Sequence, residues 1–197
     1  LGLSEWPQDG YWFADYVADF EAVIDHYAPE GAQRLCGHSM GAQVLSLYAG
    51  LRPQRVSQLA VLDGLFLPDM PATLTPKRYR RWLDELKTLP KEKTYPDYAD
   101  LARRVRKQHP HLSDERALFV ARCWGRDTGD GRVRLLADPK HYLHGPGLYR
   151  AAESEAIWSE ITAPTLFVDA GRSSFGQAIS ENDKARRRAC FRDSRES

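Results

Sequence analysis

The segment from residue 33 to residue 62 constrains the fold most. Residues 33–38, with Arg34-Leu35-Cys36-Gly37 at their centre, read as a short buried strand. Residues 40–51 then place Val44, Leu45, Leu47 and Tyr48 at helical spacing, and Pro53 stops that helix. Residues 56–62, Val56 to Leu62, read as a second strand ending at Asp63-Gly64. Strand, helix and strand at this spacing form a βαβ unit. That implies a parallel sheet with a right-handed crossover, and so an α/β fold.

The flanks extend the pattern. Residues 13–28 read as a helix with Val17, Phe20, Val23, Ile24 and Tyr27 on one face, ended by Pro29-Glu30-Gly31. Far downstream, Thr165-Leu166-Phe167-Val168 reads as a further strand, with a helix expected over about residues 175–191. The intervening texture differs. Residues 75–89, 95–109 and 113–125 read as three amphipathic helices, with Ser113 as a helix start and breaks at Pro90, Pro96 and Pro110. Residues 126–150 are rich in Gly and Pro, with one candidate strand from Arg132 to Ala137. A helical insertion between sheet strands fits a cap.

Composition excludes several classes. The chain has 197 residues, 42% hydrophobic and 28% charged, with a formal net charge of +1. A disordered, collagen-like or strongly basic nucleic-acid-binding chain would look different. No apolar run is long enough to span a membrane. Residues 1–33 carry seven acids and no Lys or Arg, while residues 77–107 are basic. Both read as solvated faces rather than as a nucleic-acid surface. Cys36, Cys123 and Cys190 form no CxxC pair, so the expectation is three packing residues in a cytoplasmic protein. The pairs His109/His111 and His141/His144 lack a supporting cluster of carboxylates or cysteines, so no metal is expected. No cofactor is implied. The six histidines read as surface or capping residues, apart from His38 beside the motif described next.

Gly37-His38-Ser39-Met40-Gly41 matches G-x-S-x-G between an apolar strand and an apolar helix. A sharp turn there projects Ser39 above the carboxyl end of the sheet. Gly37 and Gly41, lacking Cβ, are expected to let neighbouring backbone approach closely. The helix N-terminus favours negative charge, and the Met40 N–H is placed to face a developing oxyanion. The competing reading is a glycine-flanked serine that merely caps its helix.

With this motif in this context, the sequence resembles the α/β-hydrolase superfamily, and within it the capped esterase and serum-hydrolase-like groups. Gly2-Leu3-Ser4 looks like the end of the family's R-G-x-G-x-S turn. The resemblance implies a parallel-sheet core over 1–70, a helical cap over 71–156 and a second part of the core over 157–197. It also implies a nucleophilic Ser39, an acyl-enzyme route, and a small-molecule substrate such as a carboxylic ester. Tyr79, Trp82, Phe119 and Trp124 either line an apolar pocket or pack as core. The oligomeric state stays open.

The family order is serine, then acid, then histidine. Asp63, directly after the second strand, fits one acid position; Asp169 is the alternative. The family histidine would follow the late strand and helix, and none of His26, His38, His109, His111, His141 or His144 does so. The early strands and the second oxyanion loop are expected before Leu1. The expectation is therefore an incomplete core, cut from a longer gene product, whose sheet edges are exposed. A chain of this fold without a working triad, serving as a binding module, is the second reading.

Overall fold

A computed structural model describes residues 4–8, 10–65, 67–171, 173 and 178–196. In chain order the elements are α1 (Phe13–Tyr27), β1 (Gln33–His38), α2 (Met40–Leu51), β2 (Val56–Leu62), α3 (Thr75–Lys87), β3 (Thr94–Tyr95), α4 (Tyr98–Gln108), α5 (Asp114–Trp124), β4 (Gly125–Asp127), β5 (Val133–Leu135), α6 (Ala151–Trp158), β6 (Thr165–Val168), α7 (Glu181–Arg188) and β7 (Ser194–Glu196). Two compact units result: Trp12–Pro76 with Gly147–Ser197, and Leu1–Tyr11 with Lys77–Pro146.

The first unit is built on a parallel sheet of order β1-β2-β6-β7. Alternation along the strands turns Leu35, Leu59, Val61 and Phe167 to one face, where they are buried. Ala42, Leu45, Tyr48 and Ala49 of α2 pack there, together with Trp158, Ile161 and Phe191. Phe20 of α1 meets Tyr48 edge-on, with ring centroids 4.8 Å apart. Helix α6 lies against α2 so closely that a Cβ on Gly50 would sit 2.1 Å from the Ile157 carbonyl oxygen. Two polar side chains at this junction, Trp158 and Ser46, are paired. Trp158 Nε1 donates to Ser46 Oγ at 2.9 Å, and Ser46 Oγ donates to the Gln43 carbonyl at 2.9 Å. The other face of the sheet carries exposed Arg34, Cys36, His38, Gln58 and Leu166.

The second unit pairs α4 with α5 through Leu101, Ala102, Val105, Ala117 and Ala121. Asp97 and Ser113 cap the two helices, accepting from the Asp100 N–H at 2.7 Å and the Arg116 N–H at 3.2 Å. A small antiparallel sheet, β3-β5-β4, closes the core over Val133. The N-terminal segment joins this unit. Tyr11 stacks on His141 with centroids 3.6 Å apart and donates to buried Asp138 Oδ2 at 3.3 Å.

Element positions follow the sequence pattern closely through β2 and again at α3, α4, α5 and β6, and depart from it at the short elements and at α7. The helix expected over 175–191 forms over Glu181–Arg188, with residues 174–177 outside the described set. Gly2 and Leu3 of the expected turn also lie outside it. β3 and β4 are too short to show alternation, and α6 is too short to show helical periodicity. Cys36 and Cys123 correct the packing expectation, whereas Cys190 packs against the core. All are free, Cys36 and Cys123 are exposed, and Cys190 is half-buried. Cys36 points outward because its neighbours Leu35 and Gly37 take the buried face of β1. Three of the four aromatics are also corrected as core, whereas Trp82 is half-buried. Tyr79, Phe119 and Trp124 are 48%, 57% and 47% exposed.

Candidate active site

Three strand ends lie side by side at the carboxyl edge of the parallel sheet. His38 pairs in register with Leu62, and Leu62 with Val168. Ser39, Asp63 and Asp169 are the residues immediately after these, so the topology brings all three sequence candidates to one edge. Two backbone bonds carry the ladder one step further: the Ser39 N–H donates to the Leu62 carbonyl at 3.0 Å, and the Asp63 N–H to the Val168 carbonyl at 2.8 Å.

The turn at Ser39 is strained. Its φ is 52° and ψ is −119°, a region that L-residues avoid and that persists only where the surroundings impose it. The cause is the passage from β1 into α2 through Ser39 as the single intervening residue. Gly37 makes the passage sterically feasible. A Cβ there would lie 2.7 Å from the Ala42 nitrogen and from the Gly41 carbonyl carbon and oxygen. Gly41 differs from the expectation: a Cβ at that position meets nothing within 4 Å. It sits on the open side of the first helical turn, while Gly37 sits beneath it.

Ser39 occupies the N-cap position of α2, yet its side chain makes no capping hydrogen bond. The capping reading of this serine is thereby removed. The first helical residue, Met40, is 51% exposed, and its N–H has no intrahelical acceptor by the geometry of a helix start. A group carrying negative charge beside Ser39 would meet these unpaired N–H groups and the positive end of the helix.

The Asp63 turn is the second left-handed point, at φ 47°, followed by Leu65 at φ 67°. Gly64 lets this turn lie against the elbow. A Cβ there would stand 2.6 Å from Ala42 Cβ and 3.5 Å from the Ser39 carbonyl oxygen. Asp63 is half-buried, and its Oδ1 accepts from the Ala170 N–H at 3.3 Å. Asp169 is exposed and its carboxylate is ion-paired with Arg188, which also holds Glu196 at 2.9 Å.

Sequence reasoning missed Arg187. It is 2% exposed and donates through Nη1 to the Leu65 carbonyl, with its guanidinium 5.8 Å from the centre of the Tyr149 ring and Nε 4.0 Å from Glu155 Oε1. A buried cation thus braces the loop that follows Asp63. The run Arg186-Arg187-Arg188 reads as a solvated face. The available signal is the i, i+4 spacing that puts Arg187 on the same side of α7 as buried Phe191.

The histidines fall elsewhere. His144 Nδ1 lies 3.1 Å from Glu85 Oε1, and the His144 N–H donates to Glu85 Oε2 at 2.8 Å. Burial pulls the His141 pKa below its ordinary value against the opposing pull of Asp138. His38 is exposed on the open face of β1. Among the described residues no group of three or more His, Cys, Asp or Glu could hold a metal ion, and no helix is long and apolar enough to cross a membrane.

Fold and turn define an α/β protein whose candidate site sits where a parallel sheet meets a helix N-terminus. The chain belongs to the alpha/beta hydrolase fold family, whose profile matches residues 3–185. A serine hydrolase-like protein of Danio rerio is 30% identical over 140 residues, covering 67% of this chain and 42% of that protein. The chain therefore spans less than half the length of this curated relative. A thioesterase domain from the curacin biosynthetic pathway superposes with a TM-score of 0.80 at 23% identity, covering 99% of this chain and 68% of that one. An esterase of Mycobacterium tuberculosis gives a TM-score of 0.73 at 20% identity, covering 99% and 63%. At these identities the structural likeness establishes the fold.

Proposed function

We propose that this chain carries the nucleophile of a serine hydrolase acting on small carboxylic esters. The observation that carries the reading is the strained Ser39, held between β1 and α2 with its hydroxyl making no capping bond to the helix. Ser39 Oγ attacks the ester carbonyl carbon as its proton passes to a histidine base. The carbonyl oxygen takes the negative charge and accepts from the Met40 N–H. Collapse expels the alcohol, which takes the proton from the histidine, and leaves an acyl-enzyme; water attacks it by the same route in reverse roles. Asp63 is the orienting acid. Among the described residues its carboxylate meets a backbone N–H alone, whereas Asp169 is held by Arg188. The unit containing Lys77–Pro146 serves as the cap. The serine hydrolase-like relative and the esterase and thioesterase neighbours support the chemistry.

No histidine occurs between Thr165 and Ser197. The reading accordingly assigns the base to no residue of this chain. The same observation favours a second reading, a catalytically incomplete chain that binds rather than cleaves. Labelling with a fluorophosphonate probe separates them. It is applied to this chain and to the product extended to the next stop codon, each beside Ser39→Ala. Labelling of the extended product that Ser39→Ala abolishes is the expected result. A folded extended product that does not label overturns the hydrolase reading in favour of the binding one.

A further inference from the structure

The unit that lacks Ser39 has a cavity of its own. Its volume is about 370 Å³, within the range of small-molecule sites, and every residue lining it belongs to that unit. The floor is apolar: Leu101 and Val105 of α4, each 1% exposed, and Leu135 of β5. The walls are two aromatics left in the open, Trp124 at 47% and Tyr142 at 55% exposed. The bond from the Leu136 N–H to the Trp124 carbonyl, 2.8 Å long, joins two of the lining residues through their backbone.

One helix face supplies both the floor and a charge. Leu101, Arg104, Val105 and Gln108 recur at i, i+3, i+4 and i+7 along α4, so the guanidinium and the amide rise directly from the apolar floor. The neighbouring arginines are committed, Arg103 to Asp100 and Arg106 to Asp114. Among the described residues Arg104 has no acidic partner. Lys93 adds positive charge at the far wall, its Nζ lying 5.0 Å from the centre of the Tyr142 ring.

We infer that this cavity binds an amphipathic organic anion, an apolar chain or ring ending in a carboxylate. The apolar body lies between Trp124 and Tyr142 over the leucine and valine floor. The carboxylate pairs with the planar guanidinium of Arg104, which offers two parallel N–H donors. Gln108 supplies a further donor at the rim. This inference does not depend on the role of Ser39, and its test uses no turnover.

Cys123 lines the same cavity and is exposed, so its thiol reports occupancy, while exposed Cys36 on β1 serves as an internal reference. The experiment measures iodoacetamide alkylation of both thiols by peptide mass spectrometry as decanoate is added. Decanoate is expected to slow Cys123 and leave Cys36 unchanged. Arg104→Met is expected to raise the half-protecting concentration about tenfold, with partial recovery in Arg104→Lys, as suits a charge-assisted hydrogen bond. In the unaltered protein decanol should protect far less well than decanoate. No protection of Cys123, equal slowing of both thiols, or equal protection by decanol and decanoate overturns the proposal.

Discussion

Ser39 and Ser113, two of the serines that stand at helix starts in this chain, are used in opposite ways. Ser113 opens α5 with extended backbone, φ −66° and ψ 161°, and its hydroxyl accepts from the Arg116 N–H. Ser39 opens α2 at φ 52° and ψ −119°, and its hydroxyl makes no such bond. The first arrangement relaxes the backbone and satisfies a helix donor. The second leaves both wants unmet. A serine retained where it neither caps nor relaxes has a hydroxyl available for chemistry, and the difference between the two turns separates structural from chemical use of one residue type.

The sharpest way to break the comparison is at the glycine beneath the elbow. Gly37→Ala drives a Cβ into the backbone of the first turn of α2, which cannot yield, and a loss of about 3 kcal/mol or more is expected in urea unfolding. Gly41→Ala, facing open space inside a helix, should instead be neutral or gain up to about 1 kcal/mol. Equal losses at both glycines would mean that the strain at Ser39 does not arise from the close approach at Gly37.

Arg187→Met tests whether the second turn of the site is held from below. Removing the buried donor leaves the Leu65 carbonyl unsatisfied, and about 2 kcal/mol should be lost in urea unfolding. In the extended product, fluorophosphonate labelling should slow as well. Unfolding and labelling indistinguishable from the unaltered protein would remove Arg187 from the support of the Asp63 loop.

The two serines then separate in a single experiment. Ser113→Ala should cost about 1 kcal/mol and leave labelling intact. Ser39→Gly should raise stability by about 1 kcal/mol through relief of the left-handed strain, while abolishing labelling. Loss of stability in Ser39→Gly would show the hydroxyl to be a structural group after all.

The smallest expected effect is a pH dependence far from the elbow. Burial lowers the His141 pKa in the folded state, against the opposing pull of Asp138. As pH falls below the ordinary histidine value of about 6.5, the unfolded chain takes up this proton before the folded one, so the stabilisation present above that value is progressively lost. Thermal unfolding followed from about pH 7 to pH 5 should show a shallower decline in His141→Phe, which keeps a ring against Tyr11, than in the unaltered protein. An identical decline would assign the acid sensitivity to other groups.

Legibility in the sequence tracks how local the determining forces are. The bounds of β1, α2, β2 and β6 are readable because apolar periodicity, Pro53 and the glycines around Ser39 act within a few residues. The elbow is readable for the same reason. The outward turn of Cys36 is harder, since it depends on which face of the sheet the helices cover. Arg187 is harder still. Its burial is decided by Leu65, Tyr149 and Glu155, each remote in sequence, and the spacing to Phe191 is the one local hint that separates it from its two neighbours. Tyr79, Phe119 and Trp124 carry the helical spacing of core residues and are nonetheless exposed; on α5 it is Ala117 and Ala121 that meet Leu101, Ala102 and Val105 of α4.

The register of the parallel sheet has a consequence for how this chain tolerates change. β2 and β6 are hydrogen-bonded neighbours, yet all the chain between Leu62 and Thr165 runs between them. The closure entropy of such a connection grows only as the logarithm of its length, so doubling it costs about 0.6 kcal/mol. That is less than the expected loss of the single cap at Ser113. Insertions or deletions confined to Lys77–Pro146, which leave Leu65, Trp158 and Ile161 of the core in place, are therefore nearly neutral for the sheet, whereas one residue added between His38 and Met40 would dismantle the turn that holds Ser39.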